Sequence, residues 1–183
     1  LPLGLATAGV ALALLAGALA GRGRLRGTSR GARDNGSGVV AALAFAEASS
    51  DRETGLLITG GEEFGLVGAR IFAGVQGSLS GVEVVNIDTI DDQGRLFVVS
   101  HDSRGATAGA ALAIRLGTLG FPVRARRLPL GILVDSLPLA RSGAAAVTVG
   151  RLTWRTLGLI HTPGDVPEGF SLDAAERVGR AIA

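Results

Sequence analysis

The sequence predicts an α/β domain built on a mostly parallel sheet that is covered by helices on both faces. Helix-like and strand-like segments alternate along the chain. The strand-like segments are short apolar runs, as expected for strands that are buried on both sides. The strand-like segments are residues 55–59, 82–87, 95–100, 131–134 and 144–149, and the helix-like segments are residues 37–49, 66–75, 107–119 and 172–183.

The individual elements follow from local patterns. Residues 34–37 (DNGS) have side chains that can cap free amides, and they open a helix over residues 37–49 that is apolar on nearly every face and therefore buried. Residues 55–59 (GLLIT) form a short apolar strand that a Gly-Gly pair ends before the next helix. Residues 172–183 close the chain with an amphipathic helix.

Composition limits the classes of function. A chain of 183 residues is long enough for one domain with a core, and its 4% aromatic residues and 29 glycines indicate closely packed small aliphatic side chains. The sequence has no Cys, so any metal must be held by Asp, Glu or His. The net charge is only +2, and the Arg cluster at residues 22–33 contains no aromatic residue. These features argue against a nucleic-acid partner.

The first 27 residues differ from the rest of the chain. Residues 3–20 carry no charge, and this uncharged segment is just long enough for one bilayer crossing. An Arg-rich flank follows it. We expect residues 1–27 to be a membrane-inserting hydrophobic helix with its flank, residues 3–20 to contact lipid, and the protein to be membrane-associated. A signal-peptide core and a buried Ala-rich helix are the alternatives. The remaining domain is expected to span residues 28–183. Because the first residue is not Met, we expect the chain to begin at a fragment boundary or a processing point.

Acidic residues stand at the ends of the predicted elements. Asp34 precedes a buried helix, Glu62 and Glu63 follow the strand-like segment 55–59, and Asp88 comes directly after residues 82–87. Ligands of open α/β sheets collect outside the carboxyl ends of the strands, so these carboxylates can converge there. Carboxylates removed from water are costly unless a cation accompanies them. The pattern therefore indicates a cation site.

Four segments carry a resemblance to a known family. They are ARDNGSG at residues 32–38, TGGEEFGLVG at 59–68, NID at 86–88 and HTPGD at 161–165. In this order and with this spacing, they resemble the motifs of the M28 metallopeptidases, in particular a membrane-associated subgroup of the aminopeptidase type. The resemblance runs from about residue 29 to the C-terminus. It implies a three-layer sandwich of the zinc-dependent exopeptidase type, with a central, mostly parallel mixed sheet.

The resemblance also implies a role for each matching residue. Asp34 would bridge two zinc ions, Glu63 and His161 would complete the ligands of one of them, and Asp88 would bind the other. Glu62 would be the general base that takes a proton from the attacking water. The implied activity is that of a zinc-dependent aminopeptidase that removes N-terminal residues from peptides. Oxygen ligands and imidazole suit Zn²⁺, and a metal pair both acidifies water and stabilises the oxyanion.

The sequence departs from the family pattern in three places, one of which is the Arg-rich segment 22–33, while the other two concern the site. The His-x-Asp motif that supplies a ligand to the second zinc is missing before Asp34, so we expect an N-terminally truncated chain that can lose one zinc and is inactive on its own. The segment VDSLPL at residues 134–139 resembles the family's substrate-lining segment, but Ser136 stands where a His is usual. We assign Asp135 and Ser136 to substrate binding on this basis.

Two other functions remain open. A non-catalytic relative would use the same fold as a binding module. A single-zinc transferase similar to glutaminyl cyclases would need only Asp34, Glu63 and His161, although the run EEFGLVG is more similar to peptidases. Outside the motifs, we expect His101 to be an exposed histidine at a strand end, Trp154 to be packed, and residues 91–92 to form a solvated turn.

Overall fold

The structure is a computed structural model that describes residues 29–50, 53–129 and 131–183, together with the single positions Gly4, Gly9, Ala11 and Leu12. Apart from those four positions, the hydrophobic segment 3–20 and its flank lie outside the described residues, as does the expected domain boundary after residue 27. Within the described part of the chain, no helix has both the length and the apolar character needed to cross a membrane.

The centre of the fold is a four-stranded mixed sheet with the order β1-β4-β2-β3. The strands are β1 (Glu83–Ile90), β2 (Leu96–Ser100), β3 (Val123–Arg127) and β4 (Ala145–Arg151). The β1–β4 and β2–β3 pairs are parallel, and the β2–β4 pair is antiparallel. The predicted mostly parallel mixed sheet is therefore confirmed.

Helices cover both faces of this sheet. They are α1 (Gly38–Ala48), α2 (Val67–Gln76), α3 (Ser103–Thr118), α4 (Ser136–Arg141), α5 (Trp154–Leu157) and α6 (Asp173–Ile182). Val147 and Val149 of β4 pack in one core cluster with α1, α3 and α6, whereas Ala146 packs in a second cluster with α2 and α4. Because neighbouring strand residues point to opposite faces, the two clusters are the two sides of a helix–sheet–helix sandwich.

Small residues allow the helices to pack closely, as the composition predicts. Gly179 of α6 lies against α1, where an added Cβ would come within 2.0 Å of the Ala41 carbonyl oxygen. Gly109 of α3 fits between the side chains of Val98 and Val147 in the same way. Short distances between backbones thus compensate for the small number of aromatic side chains in the core.

Two predicted strands are wrong. Residues 55–59 form no regular structure, and Leu56, Leu57 and Ile58 are exposed. No other described strand pairs with this segment, so its β-forming side chains have no hydrogen-bonded neighbour to stabilise them. Residues 131–134 are also irregular. The strand of that region is β3, which an apolar pattern does not reveal because this edge strand is exposed and rich in Arg.

Candidate metal centre

Three side chains from distant parts of the chain meet at one point. The Nε2 atom of His161 lies 2.8 Å from Oδ2 of Asp34 and 2.6 Å from Oε1 of Glu63. All three donor atoms lie within 4.8 Å of one another. Asp34 comes from an irregular turn before α1, Glu63 from a single 3₁₀ turn (Glu62–Phe64), and His161 from the loop after α5.

These three residues fit a divalent cation. Two carboxylates point at the same imidazole nitrogen, and that nitrogen can carry only one proton to share between them. A cation between the three donor atoms would satisfy all of them at once. Carboxylate oxygen together with imidazole is a donor set that suits Zn²⁺ and also accepts Mn²⁺ or Co²⁺.

Two further carboxylates lie next to these donors. Burial raises the pKa of Glu62 to about 7, and repulsion from Asp88, Glu63, Asp135 and Asp34 adds to the effect. Burial also raises the pKa of Asp88 to about 6, with the largest repulsion coming from Asp34 and an opposing hydrogen bond from the Thr89 hydroxyl. The centre therefore has an excess of negative charge that a cation would neutralise.

The backbone of Asp34 is held by a buried carboxylate. Asp165 has no exposed surface, and its two oxygens accept hydrogen bonds from the backbone N–H groups of Arg33 (2.8 Å) and Asp34 (3.1 Å). The Arg33 guanidinium lies 3.8 Å from Asp165 and 3.5 Å from Asp91, and it stacks on the ring of Phe170 at 4.4 Å. Asp165 is only four residues beyond His161, so it fixes one metal donor relative to another.

A second contact fixes Asp34 relative to β1. The side-chain amide of Asn35 donates to the Ile87 carbonyl at 3.1 Å, and its oxygen accepts from the N–H groups of Thr89 at 3.0 Å and Gly38 at 3.1 Å. Ile87 and Thr89 are the neighbours of Asp88 on β1. Only glycine fits at position 38, because a Cβ there would lie 2.0 Å from the Asn35 side-chain oxygen. Asn35 therefore sets the spacing between Asp34 and Asp88.

Glycines and Thr59 position the Glu62–Glu63 pair. Gly61 (φ 70°) and Gly65 (φ 86°) flank the 3₁₀ turn in the left-handed region, which glycine adopts without strain. Just before the turn, the Thr59 hydroxyl donates to Oδ2 of Asp135. This bond connects the Glu62–Glu63 segment to the start of α4.

The residues assigned to substrate binding lie beside the donors but are largely covered. Asp135 is nine-tenths buried, and its Oδ1 atom has no hydrogen-bond partner among the described residues. Ser136 is fully buried, and its hydroxyl bonds to His101 and Thr148. Their role in binding substrate stays a prediction.

Three expectations about single residues are wrong. His101 follows the end of β2 as expected, but it is partly buried rather than exposed, and its Nε2 is hydrogen-bonded to Ser136. Asp91 is buried, since it faces Arg33 and accepts a hydrogen bond from Thr156, so residues 91–92 are not simply a solvated turn. The side chain of Trp154 is not packed, and the residue is 90% exposed.

The motifs contain the candidate metal donors but give no indication of the residues that hold them in place. Asn35 and Asp165 both lie inside motifs already noted, yet nothing local indicates what their side chains contact. Arg33 was counted with the Arg cluster at residues 22–33, whereas it is 4% exposed and holds Asp165 and Asp91 beside the site. The only feature of the sequence that could have indicated this role is the position of Arg33 directly before the motif residue Asp34.

The three-layer fold and the carboxylate–histidine donor set define an α/β protein with a candidate centre for a divalent cation. Residues 20–183 match the model of Peptidase family M28, and the chain belongs to that family. No curated protein sequence gives a significant match.

Solved structures support the same fold. The aminopeptidase from Aneurinibacillus sp. strain AM-1 is 21% identical with a TM-score of 0.68, and 85% of this chain aligns with 39% of that protein. The zinc aminopeptidase BSAP from Bacillus subtilis is 22% identical with a TM-score of 0.66, covering 85% of this chain and 41% of that one. Legionella pneumophila LapA is 20% identical with a TM-score of 0.65, covering 84% and 46%. The chain thus spans less than half the length of each of these proteins.

Proposed function

We propose that the complete protein is a zinc-dependent peptidase, and more specifically an aminopeptidase that removes N-terminal residues from peptides. The observation that carries this proposal is the meeting of Asp34, Glu63 and His161 in a chain of family M28, with the Glu62 carboxylate beside them. The finer assignment to an aminopeptidase is supported by the names of the similar structures, one of which is described as an aminopeptidase and another as a zinc aminopeptidase.

The residues have distinct tasks in this proposal. Asp34, Glu63 and His161 would hold one Zn²⁺, and Asp88 would contribute to a second in the complete site. When bound, Zn²⁺ supplies Lewis acidity that lowers the pKa of water and polarises a peptide carbonyl. Glu62 would accept the proton of the attacking water and pass it to the leaving amine. A base is most effective when its pKa is close to the working pH, and the environment of Glu62 moves its pKa in that direction.

The direct test is activity and metal content of the full-length protein. We expect bound zinc, release of N-terminal residues from short peptides, and loss of activity after chelation that added Zn²⁺ reverses. An N-acetylated peptide of the same sequence is the matched control, and it should not be cleaved. Cleavage of the blocked peptide would contradict an aminopeptidase but not a peptidase. Bound metal without any hydrolysis would favour the non-catalytic binding module.

A single-zinc transferase similar to glutaminyl cyclases is the second candidate. The observation in its favour is that the described residues contain one three-donor group, which is sufficient for one metal. Cyclisation of a peptide with N-terminal glutamine, without hydrolysis of other peptides, would support this candidate over the first.

The acidic centre predicts how stability depends on pH without metal. The folded-state pKa values of Glu62 and Asp88 are both raised, so their stabilising contribution is complete below about pH 4 and is lost as the pH rises through 6 to 7. Each pKa unit corresponds to about 1.4 kcal/mol, which limits the loss from Asp88 to ~3 kcal/mol.

Thermal unfolding at pH 5 and pH 8, with chelator or with Zn²⁺, measures this effect. The metal-free protein should lose stability relative to the zinc-loaded protein as the pH rises, because the cation compensates the repulsion. An Asp88→Asn variant should show a smaller difference between the two pH values in chelator. If the difference in stability between the zinc-loaded and the metal-free protein were the same at pH 5 and pH 8, the prediction would be contradicted.

We further propose that residues 3–20 associate with a membrane. The support is the absence of charge over eighteen residues and the Arg residues that follow. The sequence has no Cys, so single cysteines introduced on either side of the segment can be labelled without background. Recovery of the full-length protein in the soluble fraction, with both positions equally accessible in the absence of lipid vesicles and in their presence, would contradict the proposal.

A further inference from the structure

A continuous chain of hydrogen bonds runs from β1 to the end of β2 through the start of α4. The side-chain amide of Asn86 donates to the Thr148 hydroxyl oxygen at 3.1 Å. That hydroxyl lies 2.6 Å from the Ser136 hydroxyl, which lies 2.8 Å from Nε2 of His101. The four side chains connect three strands and one helix on the side of the sheet that faces α4.

Counting protons gives this chain a direction. The amide nitrogen of Asn86 can only donate, so the Thr148 oxygen accepts. Thr148 and Ser136 are 2% and 0% exposed, and each hydroxyl proton needs an acceptor because a buried unpaired proton is costly. If Thr148 donates to Ser136 and Ser136 donates to His101, every proton is used. In the reverse direction, the Thr148 proton finds no acceptor among the described residues.

The imidazole of His101 is therefore the acceptor at the end of the chain, with its own proton on Nδ1. Its surroundings favour this neutral form. Burial lowers the pKa of His101, and Arg141 acts in the same direction, although Asp102 opposes them. A protonated ring would place a second donor against the Ser136 hydroxyl and break the chain.

Ser136, the third residue of this chain of hydrogen bonds, lies next to a carboxylate of the candidate metal centre. Asp135 immediately precedes Ser136, so an anchor on the Ser136 side chain also fixes the backbone from which Asp135 projects. The Asp135 carboxylate does not cap its own helix. It accepts a hydrogen bond from Thr59 instead, and its charge acts on Glu62.

We propose that His101 is a positioning residue for this centre, which accepts a hydrogen bond from the Ser136 hydroxyl through its neutral Nε2 and thereby holds the Asp135 carboxylate beside Glu62. His101 is not among the residues that the motifs assign, and it contacts neither the metal donors nor Glu62 among the described contacts. Its effect on turnover rests on the proposed peptidase function, whereas its proton position does not.

The first experiment measures the proton position directly. In the full-length protein with ¹⁵N-labelled histidine, the Nε2 signal of His101 should be that of an unprotonated ring nitrogen and its Nδ1 signal that of a protonated one. The signals that vanish in a His101→Gln variant assign the residue. A Ser136→Ala substitution should shift the Nε2 signal because it removes the donor. A protonated Nε2 in the wild-type protein would overturn the proposal, whether or not the protein hydrolyses peptides.

The second experiment measures the link to turnover. His101→Leu should lower kcat/KM by about 10- to 100-fold, the range found when a group that orients an active-site residue is removed, with zinc content unchanged. His101→Gln, whose side-chain oxygen can accept from Ser136, should recover most of the activity. Thr118→Val, which removes an exposed hydroxyl from α3, is the control for general effects and should match wild type.

A double variant separates positioning through Ser136 from an independent role. Ser136→Ala should reduce kcat/KM by about as much as His101→Leu. The double variant should have the same kcat/KM as either single variant, because both substitutions interrupt the same chain of hydrogen bonds. The proposal would be overturned if the fold-losses of kcat/KM in the two single variants multiplied in the double variant. It would also be overturned if His101→Gln did not recover the activity that His101→Leu loses. If the wild-type protein hydrolyses no peptide, the proposed function fails, but the proton position of His101 can still be measured.

Discussion

Glu62→Gln is expected to lower kcat by about 10²- to 10⁴-fold and to leave the metal in place, because an amide cannot accept the proton that a general base must take. Glu63→Gln is expected to act differently. Its carboxylate lies 2.6 Å from the His161 nitrogen in the three-donor group, so its loss should weaken metal binding first. Neighbouring residues in one 3₁₀ turn can thus be assigned separate tasks by one pair of isosteric substitutions.

Metal content after dialysis and peptidase kinetics at saturating Zn²⁺ distinguish the two variants. The Glu63→Gln variant should regain activity as zinc is added, whereas the Glu62→Gln variant should remain inactive and fully loaded. Glu83→Gln, which changes an exposed carboxylate at the start of β1, is the matched control and should behave like wild type. Equal loss of metal from both site variants would show that the two roles are assigned wrongly.

Among the proposed substitutions, Asp165→Asn is expected to lower the free energy of unfolding the most. The substitution keeps the size of the side chain but removes the charge that faces the buried Arg33, and it replaces one acceptor of the two backbone N–H bonds with a donor. Breaking a buried ion pair on one side typically costs about 3–5 kcal/mol. Zinc affinity should also fall by about 10- to 100-fold, because the backbone of Asp34 is no longer fixed.

Chemical denaturation and zinc titration measure these two effects separately. Glu168→Gln is the matched control, since its carboxylate pairs with Arg30 at 3.7 Å on the exposed surface, where an ion pair contributes about 0–1 kcal/mol. If Asp165 only stabilises the fold, zinc affinity at a temperature where the variant is fully folded should equal that of wild type. Such a result would contradict its role in holding Asp34.

Local patterns were sufficient for most of the core elements. The spacing of apolar residues identified β1, β2, β4 and the longer helices, because buried elements must present apolar side chains with the period of their backbone. The same criterion failed at the edges. β3 was missed because an edge strand can be exposed and charged, and residues 55–59 were assigned to a strand although none of the described strands pairs with them.

The candidate site shows the corresponding limit for function. Motifs indicated Asp34, Glu63 and His161, which the structure brings within reach of one ion. They gave no indication of the partners of Asn35, Asp165 or His101, whose side chains bond to residues 35 to 132 positions away. Such contacts depend on how distant segments are brought together by the whole fold, which no local window of sequence records.

The separation of Asp165 from the backbone that it holds also bears on the order of folding events. Arg33 and Asp165 are 132 positions apart, so the two ends of the domain must dock before Asp34 and His161 can face each other. Contacts over such long loops form late, because the entropy of closing the loop must be lost before the contact contributes. A cation that binds only the completed site would then act after the rate-limiting step. It would prolong the lifetime of the native state by slowing unfolding, and it would leave the rate of refolding almost unchanged.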